Sequence, residues 1–274
     1  MGSNGTLLVL DGYLGTGAVA GAGAAFAVAS FTDSSDWRDV VLNIGGKQST
    51  SAPNLNGKAF NLVSFGISAA SGYDSAVATG TLTFDATNAN DGGSPVPYSV
   101  AASGALSLGG NAAGFVADGA QFMAVRRFES AETDYRLVLG VSQATTYPIT
   151  SATAYKLTST GAYYTTTTPK LFRETGTVTF TPSGDGSTGT VATSNGLEHV
   201  FGAAKSGSWT VTAESSSTAT SGAVGYTATA DGTFTSTSPG GTTTGAVSAD
   251  GSTIVVVFQE AGTGYRTISV GFKQ

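Results

Sequence analysis

Tyr98-Ser-Val-Ala-Ala-Ser-Gly-Ala-Leu106 and Tyr226-Thr-Ala-Thr-Ala-Asp-Gly-Thr-Phe234 follow one pattern, a tyrosine-led segment carried to a glycine and then to an apolar residue. The likeness continues outward in the same order. Gly114-Phe-Val-Ala-Asp-Gly119 answers to Gly245-Ala-Val-Ser-Ala-Asp-Gly251, and an apolar run follows each. Tyr135-Arg136 and Leu139-Gly-Val141 answer to Tyr265-Arg266 and Val270-Gly-Phe272. Upstream, Thr79-Gly-Thr-Leu-Thr-Phe84 matches Thr175-Gly-Thr-Val-Thr-Phe180. Order is kept while spacers differ, as in two copies of one β-unit with loops of different length.

Composition agrees. Thr, Val, Tyr and Phe, which favour pleated backbone, outweigh the helix formers Glu, Lys and Gln. Strands spaced by turns exclude parallel βαβ units. The reading is all-β: an antiparallel sandwich or barrel built from two tandem, internally related units with Gly/Ser/Thr-rich turns. Residues 1–147 form an N-terminal half with its repeat unit at about 58–143. Residues 148–274 form a C-terminal half with its unit at about 153–274 and an inserted hairpin region at about 184–225. The 274 residues suffice for a sizeable core, and the halves are expected to pack as one body.

Along the chain, Leu7–Leu10 reads as a short strand. Residues 18–31 read as a small-residue strand or a short helix, since repeated glycines oppose the helix that alanine favours. Val40–Ile44 reads as a strand, Asp85–Pro97 as a loop and Ala144–Ser151 as the linker between halves. Phe60 and Leu62 share one face of a strand whose second-copy counterparts are Tyr155 and Leu157. The unbroken run Ile254-Val-Val-Val-Phe258 suits a strand buried on both faces, or one hidden at an interface.

A formal net charge of −6 with scattered Lys and Arg excludes a nucleic-acid partner, which needs a basic footprint. Cysteine is absent, which excludes disulfides, thiolate metal sites and cysteine nucleophiles. No stretch has the length and apolarity of a transmembrane helix. The strands also lack the lipid-facing alternation with aromatic girdles of an outer-membrane barrel. The opening Met1–Gly5 reads as an expression start joined to a mature chain, with a leader upstream that ended in a lipidated cysteine or a plain cleavage site.

Catalytic signals are weak. His199 is the single histidine, and no Gly-x-Ser-x-Gly elbow accompanies it. Asp118 and Asp250 hold equivalent places and could in principle act as paired glycosidase carboxylates. Both, like Asp231, stand before a glycine, where an Asp-Gly turn accounts for them. Asp85, Asn88, Asn90 and Asp91 space hard oxygen donors before a glycine, which makes calcium the one candidate cofactor. Asx turns use the same residues. Asp33, Asp36 and Asp39 are a second, looser cluster. Trp37, Trp209, Tyr163 and Tyr164 are the candidates for stacking on sugar rings. The Tyr-Arg pairs read as structural, tyrosine inward and arginine outward.

The functional expectation is an exported protein of bacterial envelope type: non-enzymatic, lipoprotein-like in composition, at the cell surface, in the periplasm or outside the cell. It would act as a binding, adhesive or scaffolding module for an extracellular protein or glycan. The alternative is a self-assembling filament or surface-layer subunit joined through Thr6–Leu10 or Ile254–Phe258. A hydrolase using acidic residues ranks below both.

Overall fold

The computed structural model describes residues 15–19, 25–33, 38–47, 50–68, 74–128, 134–163, 170–203, 209–210, 222–262 and 264–274. Twenty strands make up nearly all of these. Gly15–Val19 (β1), Ala25–Asp33 (β2) and Arg38–Gly46 (β3) form a three-stranded antiparallel sheet. Of the two readings of residues 18–31, strand or short helix, the described residues are strand. Leu7–Leu10 lies outside the described residues.

Eight strands close the first barrel: Ala59–Ser68 (β4), Asp74–Phe84 (β5), Asn88–Asn90 (β6), Val96–Val100 (β7), Ala105–Leu108 (β8), Asn111–Val116 (β9), Phe122–Phe128 (β10) and Asp134–Ser142 (β11). Its last strand returns to its first, with Ser142 opposite Phe60. The second barrel repeats this plan. It uses Thr153–Tyr163 (β12), Lys170–Ser183 (β13), Thr188–Ala203 (β14), Val224–Ala228 (β16), Thr233–Ser238 (β17), Gly241–Val247 (β18), Thr253–Glu260 (β19) and Tyr265–Lys273 (β20). β13 pairs with β14, and β12 with β20, which closes the ring. Trp209–Thr210 (β15) pairs outside it on the end of β14. The two-unit all-β expectation holds, and both units are barrels rather than sandwiches.

The sequence repeat marks equivalent positions. Gly104 and Gly232 turn between the same strands with φ of 85° and 93°, values that suit a residue without Cβ. Each donates its N–H three residues back, to Ala101 and Thr229, and each carbonyl accepts from Val116 or Val247. Gly140 faces Leu62 and Met123, and Gly271 faces Leu157 and Ile254. A Cβ on either glycine would stand 2.6–2.8 Å from those two side chains, so the wall is thinned there to admit them. Phe84 meets the rings of Phe60 and Tyr98 edge to face, and Phe180 meets those of Tyr155 and Tyr226.

Two differences from the sequence reading have simple causes. Asn88-Ala-Asn90, read within a loop, is a strand, because ring closure needs a member between β5 and β7; Ala89 is buried against the barrel core. The Tyr-Arg pairs are also one residue out of register. Tyr135 pairs with Ile67 of β4, whereas Tyr265 pairs with Tyr163 of β12, and counting from Gly140 and Gly271 makes Asp134 the counterpart of Tyr265. Residues 184–225 lengthen β14 to sixteen residues, against three in its counterpart β6, and add β15.

The barrels pack wall to wall. Val63, Phe122, Leu139 and Val141 on the outside of the first join Val255, Val257, Ile268, Val270 and Phe272 on the outside of the second in one buried cluster. Phe122 and Phe272 meet edge to face at 6.3 Å. Ala27, Leu42 and Ile44 of the three-stranded sheet pack on the same cluster. The run Ile254–Phe258 is explained here. Ile254 and Val256 belong to the interior of the second barrel, and Val255 and Val257 belong to the shared wall. At about 1.5–3 kcal/mol per buried aliphatic side chain, this seam is a large term in stability. A polar edge fixes its register. Asn61, 1% exposed, donates Nδ2 to the Asp231 carbonyl at 2.7 Å and accepts from Gln143 Nε2 at 2.8 Å. Ala144 N also donates to the Asp231 carbonyl, and Ala249 N to the Ser142 carbonyl. The linking segment is itself anchored, with Ala144 and Ile149 buried.

Candidate functional site

Among the sequence candidates, the four oxygen donors lie together between β5 and β7, and three of them, Asp85, Asn90 and Asp91, accept hydrogen bonds in local turns. Asp85 Oδ1 accepts the N–H groups of Thr87 and Asn88 at 2.7 and 2.6 Å. Those bonds lead in holding its carboxyl below the usual range. Asn90 Oδ1 accepts from Gly92 N at 2.8 Å and Asp91 Oδ1 from Gly93 N at 3.2 Å. These are Asx turns. Among the described residues, no group of three or more His, Cys, Asp or Glu is placed to hold a metal ion. Trp37 and Tyr164 lie outside the described residues. Trp209 ends the second barrel's appended pair with Thr210, Tyr163 ends β12, and His199 lies within β14; their side chains are outside the description.

Two of the Asp-Gly aspartates, Asp231 and Asp250, support their own turns, whereas Asp118 opens a short 3-10 turn. Asp250 Oδ1 accepts from Ser248 Oγ at 2.6 Å, Ser252 Oγ at 2.8 Å and Ser252 N at 3.0 Å. Asp231 Oδ1 accepts from Thr229 Oγ1, Thr233 Oγ1 and Thr233 N. Burial alone would raise both carboxyls; the hydrogen bonds outweigh it and hold both below the ordinary 3.8. A lowered folded value stabilises the fold above the unfolded value, and that contribution is lost as pH falls through the folded one. Asp250→Asn is thus expected to cost about 1 kcal/mol at pH 7, kept small by solvent screening. The gap to the parent should close below about pH 4. Urea titrations at pH 7 and pH 3 check this, and an equal gap at both would refute it.

The barrel interiors are a feature the sequence reading did not find. Aromatic and aliphatic side chains fill one end of each barrel and leave the other end hollow. The first barrel encloses a cavity of about 670 Å³, walled by Leu62, Leu82, Leu108, Met123, Val125 and Val138, with Asp91, Asn111 and Arg126 also on its lining. The second encloses about 350 Å³. Leu157, Val178, Ile254 and Val256 wall it above Phe180 and Phe234, and Ser159, Ser236, Thr243, Thr267 and Ser269 line it further along the strands. Phe258 and Tyr265 also lie on the lining, their rings edge to face at 5.9 Å. The alternation was visible in sequence, but whether inward residues meet or stop short depends on ring size, which alternation does not encode.

Beneath the second cavity, Tyr155 Oη donates to the Gly251 carbonyl at 2.9 Å. Burial, reinforced by the Asp250 charge, raises its phenol. Tyr226 Oη is buried without a protein hydrogen-bond partner, whereas its counterpart Tyr98 donates to the Asp85 carbonyl at 3.0 Å. Tyr226→Phe is therefore expected to be neutral or slightly stabilising, within about 0.5 kcal/mol, and Tyr98→Phe to cost up to about 1 kcal/mol. Thermal melts of the two variants check the asymmetry, which a larger loss from Tyr226→Phe would contradict.

No protein-family model matches the chain, and no curated protein matches it. Among solved structures it is similar to the isotype 1 transferrin binding protein B from serogroup B Neisseria meningitidis. That match has 9% identity and a TM-score of 0.33, and covers 100% of this chain and 58% of the other. A mutant of the vaccine antigen transferrin binding protein B from Haemophilus parasuis Hp5 gives 9% identity and a TM-score of 0.31, over 99% and 58%. The chain thus spans 58% of the length of either solved chain.

Proposed function

We propose that this chain is an exported, non-enzymatic binding module that presents the surface of two rigidly joined barrels to an extracellular protein or glycan. The observation that carries the reading is the shared wall. Val255, Val257, Ile268, Val270 and Phe272 are buried against the first barrel, so the rims of both barrels are held in fixed relation. A surface fixed in this way recognises a partner at little ordering cost. The absence of cysteine and the low charge fit export. The turn roles of Asp231 and Asp250 support a non-enzymatic reading, since their carboxylates already serve the fold.

The assembly alternative loses one of its two joining strands. β19, which contains Ile254–Phe258, pairs with β18 on one edge and β20 on the other, so it has no edge to lend.

Light scattering across concentration, with calcium or with chelator, separates the two readings, followed by an array of extracellular proteins and glycans. A monomer that captures an array member supports the binding module. Concentration-dependent filaments that bind nothing on the array would overturn it, and a calcium-dependent change would revive the Asp85–Asp91 loop as a cation site.

A further inference from the structure

The hollow of the second barrel differs from that of the first in a way that barrel geometry does not require. Counting from equivalent glycines, Ser236 stands where the first barrel has Leu108, four residues beyond Gly232 and Gly104. Ser269 stands where it has Val138, two residues before Gly271 and Gly140. Both pairs line their respective cavities. One fold thus carries an aliphatic wall in one copy and a hydroxyl collar in the other.

The collar is built into the barrel. Ser159, Ser236, Thr267 and Ser269 are each no more than 6% exposed. Ser159 Oγ and Ser269 Oγ hydrogen-bond at 2.7 Å, and Ser236 Oγ donates to the Gly225 carbonyl at 2.8 Å. These bonds leave capacity unused. Ser236 Oγ keeps its lone pairs, and whichever serine accepts within the Ser159–Ser269 pair keeps a proton to donate. The collar therefore offers both acceptors and donors, beside the apolar surface of Leu157, Ile254 and Val256 and above Phe180 and Phe234. A full charge of either sign would lose more hydration than neutral hydroxyls restore.

We infer that the second barrel is a binding site for a small neutral amphiphile, its apolar body on the aliphatic wall and aromatic floor and its hydroxyl-bearing head in the serine collar. A cavity of about 350 Å³ is at the small end of ligand sites. The inference does not depend on the surface-binding function proposed above, because it concerns the interior.

The test uses the full chain and the fluorescent probe N-phenyl-1-naphthylamine, displaced in turn by 1-octanol, octanoate and octylammonium. The alcohol is expected to displace the probe about tenfold more effectively than either ion. Ser236→Leu with Ser269→Val, which gives the second cavity the residues of the first, should remove that preference. Val256→Phe should reduce probe binding by filling the second cavity, and Val125→Phe in the first barrel should leave the alcohol preference intact. Circular dichroism on every variant separates a filled site from a failed fold, and Ser236→Leu alone is the milder change if the double variant misfolds. Equal displacement by all three head groups, a preference that survives Ser236→Leu and the double variant, or no probe binding would overturn the inference. Each of those results leaves array binding as a separate question.

Discussion

Phe180→Ala should destabilise the chain by about 3–5 kcal/mol, the usual cost of emptying a buried phenylalanine site. Phe180 is 1% exposed, and its ring meets three others edge to face: Phe234 at 5.1 Å, Tyr226 at 5.3 Å and Tyr155 at 6.1 Å. All three are themselves fixed in strands of a closed ring, so the site cannot collapse inward. Phe84→Ala in the first barrel should cost less. Phe84 has two ring partners, Phe60 and Tyr98, with Leu106 in the place of Phe234, and Tyr98 is only half-buried. Because the barrels share one wall, both variants should shift a single cooperative urea transition. Two separate transitions, or a greater loss from Phe84→Ala, would contradict this account.

Gly232→Ala is the second large effect expected, at about 2–4 kcal/mol. Its φ of 93° is costly for any residue with a Cβ, and that Cβ would stand 2.5 Å from the Val247 carbonyl oxygen. The carbonyl cannot step aside, since Val247 N is bonded to the Gly232 carbonyl at 3.0 Å across the same turn. Gly57 supplies the control. Its φ is 74°, but nothing lies within 4 Å of the Cβ position, so Gly57→Ala should carry only the left-handed penalty of about 1 kcal/mol. Similar losses from both variants in chemical denaturation would show that crowding at Gly232 has been overstated.

The parts of the fold that were legible in sequence are those set by local pattern. The paired Gly104 and Gly232 turns, the alternation through Phe84 and Phe180 and the doubly buried run at Ile254–Phe258 all carry their signal in neighbouring residues. What escaped depends on distant partners. Asn88-Ala-Asn90 has turn composition, and only the demands of a closed ring make it a strand. Tyr135 and Tyr265 look alike, yet only the pairing of Gly140 and Gly271 as equivalent positions shows that they stand one residue apart in register. The cavities were illegible for the same reason, because Ser236 and Ser269 acquire a common neighbourhood only when β17 and β20 curve round to one interior. As for the aromatic candidates, their side chains fall outside the description.

The closing strand pairs have a consequence for the order of assembly. β4 must wait for β11, and β12 for β20, before either ring exists, so the decisive pairings join chain segments that are made far apart. Such topologies fold slowly, because loop-closure entropy is lost before the closing contacts compensate for it. During synthesis, the first ring can seal while the second is still an open sheet. Its finished outer wall then offers β18, β19 and β20 a template, and the apolar wall that would otherwise attract other chains is covered as it forms. Nascent chains halted after Ser142 should accordingly already show amide protection in β10; protection of β10 only after β19 has been made would refute a templated order.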